Sequence, residues 1–354
     1  MDHEFIYEAL PTRVVFGDGK LAALPAEIDK LGARRALVLS TSAQAGWAGQ
    51  VAKVLGEKCV GIFSEAAMHT PVEVTEQAMQ QVKDLAADCV VGLGGGSTIG
   101  LGKAIALRTG LPQIAVPTTY AGSEMTPILG QTEKGVKTTL RDALVLPKTV
   151  IYDVSLTLSL PPALSATSGL NAMAHAVEAL YAQDRNPIVS LMAEEGIAAL
   201  AQALPGVIAD PQDRDARARA QYGTWLCGIC LGSAGMALHH KLCHVLGGTF
   251  DLPHAETHAI MLPHTAAYNA PGAPEAMRRA ARALKADSAA EGLWSLAGRI
   301  KAPRALKDIG MPESGIAKAT ELAMKNPYWN PRPLAEKDIE ALIRRAWAGE
   351  APQA

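Results

Sequence analysis

The first 155 residues alternate short apolar runs with amphipathic stretches. Residues 13–16 (RVVF), 36–39 (ALVL), 60–63, 89–93 (CVVGL), 114–116 and 150–152 are continuous apolar segments of strand length. Between them, residues 20–31, 51–55, 75–87 and 100–107 show helical spacing. A strand buried on both faces has no polar side to alternate with. Continuous apolar strands interleaved with helices therefore predict a mostly parallel sheet covered on both faces. After Asp153 the texture changes. Residues 164–182, 188–204, 216–231, 237–246, 273–285, 289–299, 317–323 and 335–347 all carry the helical period, separated by turn signals such as Leu160-Pro161-Pro162, Asp210-Pro211 and Asn326-Pro327. Gly247 and Gly248 are expected to break the helix that starts at 237. The pattern predicts an α/β domain over 1–155 and an all-helical domain over 156–354.

Composition supports that division. A chain of 354 residues exceeds the size at which one core usually stops growing. The net charge is −2 with no basic tract, and aromatic residues make up 5% of the chain. Neither nucleic acid nor an anionic membrane surface is a suitable partner for such a chain. The amino terminus has early acids and no apolar core segment, and no uninterrupted apolar run is long enough to span a bilayer. A cytoplasmic protein is expected. The five cysteines form no regular framework, and Cys227 and Cys230 sit as a CxxC in an apolar, small-residue helix pattern without a second pair. They read as buried structural thiols.

Two stretches carry chemistry. In the first, Gly94-Gly95-Gly96-Ser97-Thr98 follows a strand directly and opens a helix. A glycine-rich strand-to-helix turn lets a phosphate reach bare N–H groups at the positive end of the helix, and Ser97 and Thr98 offer hydroxyls. The next strand ends in Pro117-Thr118-Thr119, at the same edge of a parallel sheet, where ligands bind. A phosphate-bearing nucleotide is the expected ligand. The strand over 36–39 ends in Ser40-Thr41-Ser42, where such sheets often place a carboxylate on the ribose 2′-hydroxyl. Thr41 has no charge to repel a 2′-phosphate, so cofactor choice reads as permissive.

The second stretch, 236–264, holds six of the nine histidines, at 239, 240, 244, 254, 258 and 264. His240 and His244 are one helical turn apart and share a face. Clustered imidazoles can hold a divalent metal or supply protons, and single histidines also serve as caps or line polar seams.

GGGST, VPTTYAGSE, SGLNAMAHAVEA and the histidine window together resemble the iron-containing alcohol dehydrogenase superfamily, over nearly the whole chain. The resemblance implies a Rossmann-like NAD(P)-binding domain followed by an all-α domain, with the active site in the cleft between them, and a homodimer. It puts the cofactor on Gly95, Gly96, Ser97, Thr118, Thr119 and Lys137, with Thr41 at the adenosine ribose. It also maps the metal ligands, one aspartate and three histidines, onto Asn171, His175, His240 and His254, with His244 a further active-site histidine. Two departures stand out: an amide replaces the aspartate at 171, and the usual PTTAGTGSE is one residue shorter, with Tyr120 inside it. Both are features of the branch that reduces maleylacetate to 3-oxoadipate in aromatic-ring degradation, using NADH or NADPH.

Asn171 and His175 lie at i, i+4, so the ligand geometry survives while one negative charge is lost. A neutral carbonyl oxygen is a poorer partner for a hard or borderline divalent ion. Reducing a ketone or aldehyde creates an alkoxide, for which a metal is valuable. Reducing a double bond conjugated to a ketone creates a delocalised enolate that N–H donors can stabilise. The expectation is therefore an enone reductase with no required metal, and the resemblance implies a dicarboxylate substrate. His244 is expected to protonate or polarise the substrate, and His175, His240, His254 and Asn171 to surround it. Lys241 and Arg141 are candidate partners for the carboxylates. A metal-dependent alcohol or aldehyde reductase, and a catalytically silent nucleotide-binding protein, are the alternatives.

Overall fold

The computed structural model describes residues 4–353, apart from the side chain of Lys137. The chain divides into two compact units, Leu10–Leu160 and Pro161–Ala354, the latter joined by residues 4–9. The division thus falls five residues after the expected one, beyond a 3-10 turn over Val154–Thr157 that follows the last strand.

In the first unit the order is β1 (Arg13–Gly17), α1 (Leu24–Lys30), β2 (Ala36–Leu39), α2 (Ala45–Leu55), β3 (Cys59–Phe63), α3 (Val72–Asp84), β4 (Cys89–Gly94), α4 (Gly96–Thr109), β5 (Gln113–Pro117), β6 (Ile128–Glu133), β7 (Val136–Arg141) and β8 (Thr149–Asp153). Six strands form a wholly parallel sheet in the order β1-β8-β5-β4-β2-β3. Both faces are covered. Ala36 and Val38 of β2 join Val91, Leu93, Ile114 and Val116 under α1 and α2, while Leu37 and Leu39 pack with Val90 against residues of α3 and α4. The strands therefore have no polar face, as their sequences require. From β2 the chain turns outward to β3, and from β4 it turns the other way to β5. The carboxyl ends of β2 and β4 thus flank the topological switch point.

The antiparallel hairpin of β6 and β7 was not anticipated. It turns through Lys134 and Gly135, both at positive φ. Its strands, ILGQTE and VKTTLR, mix polar and apolar residues and lack the continuous apolar run used to recognise the other strands.

The second unit is helical: α5 (Pro162–Ala179), α6 (Pro187–Ala209), α7 (Arg214–Ser233), α8 (Leu238–Phe250), α9 (His254–Asn269), α10 (Pro274–Leu284), α11 (Ala289–Arg299), α12 (Gly315–Met324) and α13 (Glu336–Ala348). By length and composition α6 could cross a membrane, but half of that stretch is buried within the unit. Cys227 and Cys230 are buried free thiols on α7, as expected.

Two expectations need correction here. α8 does not break at Gly247-Gly248 but runs to Phe250 and ends where Asp251 adopts a left-handed conformation. Each glycine costs about 1 kcal/mol in a helix. Burial of Leu246 and the packing of Val245 and Phe250 on the core of Leu242, Leu252 and Ile316 offset that cost. α9 also emerged where no helix was read. From Thr257 onward its residues are buried on every side, so no amphipathic period shows.

Candidate active site

At the carboxyl ends of three neighbouring strands, the α/β unit gathers the expected nucleotide residues. Thr41 lies just beyond β2, Gly95, Gly96 and Ser97 follow β4, and Thr118 and Thr119 follow β5. The two turns are tied together. The Thr118 N–H donates to the Gly94 carbonyl at 3.1 Å, and Gln44 Nε2 donates to Thr118 Oγ1 at 2.8 Å. Gly94 has φ +147°, and a Cβ there would meet Thr98 Oγ1 at 2.6 Å. A Cβ on Gly95 would lie 3.0 Å from the Thr119 side chain. Only glycine allows so close a wall. Gly96 and Ser97 begin α4, whose first N–H groups have no intrahelical acceptor and form the positive end of a helix dipole. The turn has the form of a phosphate cradle. The Thr98 hydroxyl is buried beside Gly94 with no hydrogen-bond partner. Gln44, which the sequence did not single out, braces the threonine turn. Lys137 lies on β7 opposite Thr132, and its side chain is outside the described residues.

The helical unit builds its centre on α5. Asn171, His175 and Glu178 lie at i, i+4 and i+7, on one face of a helix buried from Ser165 onward. Glu178 organises what faces them. Its carboxylate accepts from the backbone N–H of Ala237 at 2.9 Å and of His239 at 2.8 Å. It thereby caps α8, whose own Ala237 cannot. It also lies 2.6 Å from His240 Nδ1. With Nδ1–H given to the carboxylate, His240 offers Nε2 as an acceptor when neutral and as a donor only when charged.

His175 and His240 stack with ring centroids 5.1 Å apart. His258, one turn into α9, lies 4.9 Å from the His240 ring and 4.4 Å from that of His254. Deeper in, His258 Nδ1 and His239 Nε2 are 2.9 Å apart, and His239 Nδ1 meets Thr265 Oγ1 at 3.1 Å. Four buried atoms in the cluster are unpartnered: Asn171 Oδ1, His175 Nδ1, His240 Nε2 and His258 Nε2. Burial, reinforced by His240 and His254, holds the His175 imidazole well below its usual range, and burial likewise keeps His239 and His258 neutral. His244 and His254 are exposed. His244 Nδ1 pairs with the Tyr328 hydroxyl at 3.2 Å. Lys241 donates to the Lys325 carbonyl at 3.0 Å, and Arg141 lies exposed on β7. Neither stands out as a carboxylate partner.

Residues 11–154 match the description iron-containing alcohol dehydrogenase, and residues 165–347 match its carboxyl-terminal part. The chain belongs to this family. It is 57% identical over 349 residues to a maleylacetate reductase of Rhizobium, covering 99% of both chains. A crystal structure of maleylacetate reductase from Agrobacterium tumefaciens matches with a TM-score of 0.96 at 56% identity, covering 99% of this chain and 100% of the other. An alcohol dehydrogenase assigned only by inference, from Ralstonia eutropha, matches at 0.98 and 55%, with the same coverage.

The family's name implies iron, and the donor set here is a weaker one for it. The four corresponding positions supply an amide and three imidazoles, with no anion. The carboxylate that reaches the cluster, Glu178, is committed to His240 Nδ1 and two backbone N–H groups. Among the described residues, the donors that converge within 4.8 Å are instead His239, Cys243 and His258. Two nitrogens on one tetrahedral ion lie about 3.3 Å apart. The 2.9 Å between His239 and His258 is the length of a shared proton, and burial raises the Cys243 thiol well above its usual range. That trio is a hydrogen-bonded array.

Proposed function

We infer that the chain is a maleylacetate reductase, reducing the conjugated carbon–carbon double bond of maleylacetate to give 3-oxoadipate. One observation carries the reading: a histidine cluster with the amide of Asn171, not a carboxylate, one turn before His175, in a chain that resembles maleylacetate reductases over 99% of its length. The turns after β4 and β5 would hold the phosphates of NADH or NADPH, with Thr41 beyond β2 at the adenosine ribose, and the bound cofactor would supply a hydride. Addition to the alkene carbon β to the ketone leaves an enolate, whose charge is shared between oxygen and the α carbon. N–H donors suffice to stabilise that charge, so we propose that turnover needs no metal.

In this reading His244 holds the proton that completes the reduction, with the Tyr328 hydroxyl setting its ring orientation. His240, once charged, donates through Nε2 to the substrate oxygen, and the Glu178 carboxylate balances that charge. His175 and His254 surround the substrate, and Asn171 receives a donor at its open Oδ1. We propose a soluble homodimer in the cytoplasm, where the reduced cofactor is regenerated. NADH oxidation followed with maleylacetate and a panel of small aldehydes tests the reaction. Turnover of maleylacetate alone supports the reading, and efficient aldehyde reduction without it would make the chain an alcohol dehydrogenase.

A further inference from the structure

Lys103 is the fully buried amine at the centre of the α/β unit, on α4 two turns beyond the Gly95 and Gly96 turn. Its Nζ donates to the Ser123 carbonyl at 2.6 Å, the Ile128 carbonyl at 2.8 Å and Thr126 Oγ1 at 2.9 Å. An ammonium has three protons, and each finds an acceptor. All three acceptors lie on or beside the segment that begins with Thr118 and Thr119 and ends where β6 starts. The same segment is fixed to the sheet by Glu124, whose buried carboxyl accepts from the Tyr152 hydroxyl of β8 at 2.8 Å.

Burying an ammonium is costly, and a purely structural need would be met by an apolar side chain of the same length. Burial pushes the Lys103 ammonium down to about 7, against the pull of Glu124. What the cation does that a methionine cannot is turn two main-chain carbonyls inward, as a bound metal ion would. It thereby links the helix that opens at the glycine turn to the segment that carries the threonine turn. These are the two walls of the phosphate cradle.

We propose that Lys103 is a positioning residue for the dinucleotide, setting the threonine turn against the glycine turn. The inference rests on the reading of that cradle as a nucleotide site. The test is NADH titration by fluorescence, with steady-state kinetics, on the full-length wild type and Lys103→Met. Three bonds to a charged donor are lost, so the variant's Kd for NADH should rise at least about tenfold. The loss should appear in KM for NADH, with kcat and KM for maleylacetate within about threefold of wild type. A lowered Tm with an unchanged Kd would show a merely structural lysine and overturn the proposal. Should Lys103→Met not fold, Thr126→Val removes one acceptor at nearly constant volume. It should weaken NADH binding by about fivefold, and an unchanged Kd there overturns the proposal equally. A wild type that binds no NADH would instead overturn the nucleotide reading itself.

Discussion

Glu178 holds the Nδ1 of His240 at 2.6 Å while capping the helix on which His240 sits. One carboxylate thus fixes both the ring's tautomer and the start of α8. Glu178→Gln can still accept from one backbone N–H, but it removes the charge that balances a protonated His240. The expected result is a kcat lower by about 10²–10⁴ with NADH affinity unchanged. A variant within a few fold of wild type would mean that Glu178 only caps the helix.

His244 is exposed and one turn beyond His240, with ring centroids 6.1 Å apart. As the proton donor it should contribute about 10²–10⁴-fold. His244→Ala should lose that much kcat and keep its Tm and NADH affinity. Loss of Tm with kcat retained would assign His244 to packing against Tyr328.

Thr41 is half-buried beyond β2, with its hydroxyl 3.4 Å from Gln44 Oε1. It offers neither a carboxylate to the ribose nor a cation to a 2′-phosphate. Both NADH and NADPH should support turnover, with kcat/KM favouring NADH by less than about a hundredfold. A preference of several hundredfold for either cofactor would contradict this role for Thr41.

His264 is buried against Trp294, and burial, aided by Arg345, lowers it to about 4. Its unfolded value is near 6.5. Because the unfolded chain binds the proton first, this contribution is complete above pH 6.5 and is lost as pH falls through 4. At most about 3 kcal/mol of stability is at stake. Denaturant unfolding between pH 7 and 4 should show a shallower decline for His264→Gln than for wild type. Equal slopes would show that His264 does not titrate on unfolding.

How far the sequence revealed this molecule depended on what burial does to each pattern. The parallel strands were legible because burial on both faces leaves runs such as ALVL and CVVGL with no polar member. The glycine turn was legible because few residues other than glycine tolerate the approach of Thr119 to Gly95. Complete burial hid α9 for the opposite reason, by erasing the helical period. Glu178 was invisible as an organiser because its partners, Ala237, His239 and His240, lie about sixty residues away in sequence. His258 stood among six similar histidines. Only the three-dimensional packing shows its Nε2 buried and unpartnered at the cluster's centre.

The central claim is that this cluster, with Asn171 in place of an anionic ligand, reduces a conjugated double bond without a metal. The most direct test is kcat/KM for maleylacetate on enzyme stripped by chelation, with metal content measured on the same sample. The account predicts full turnover at far less than one metal per chain. Asn171→Asp, by restoring the anionic ligand, should in contrast retain iron or zinc through purification. Stoichiometric metal in the wild type, whose removal abolishes turnover and whose return restores it, would contradict the claim.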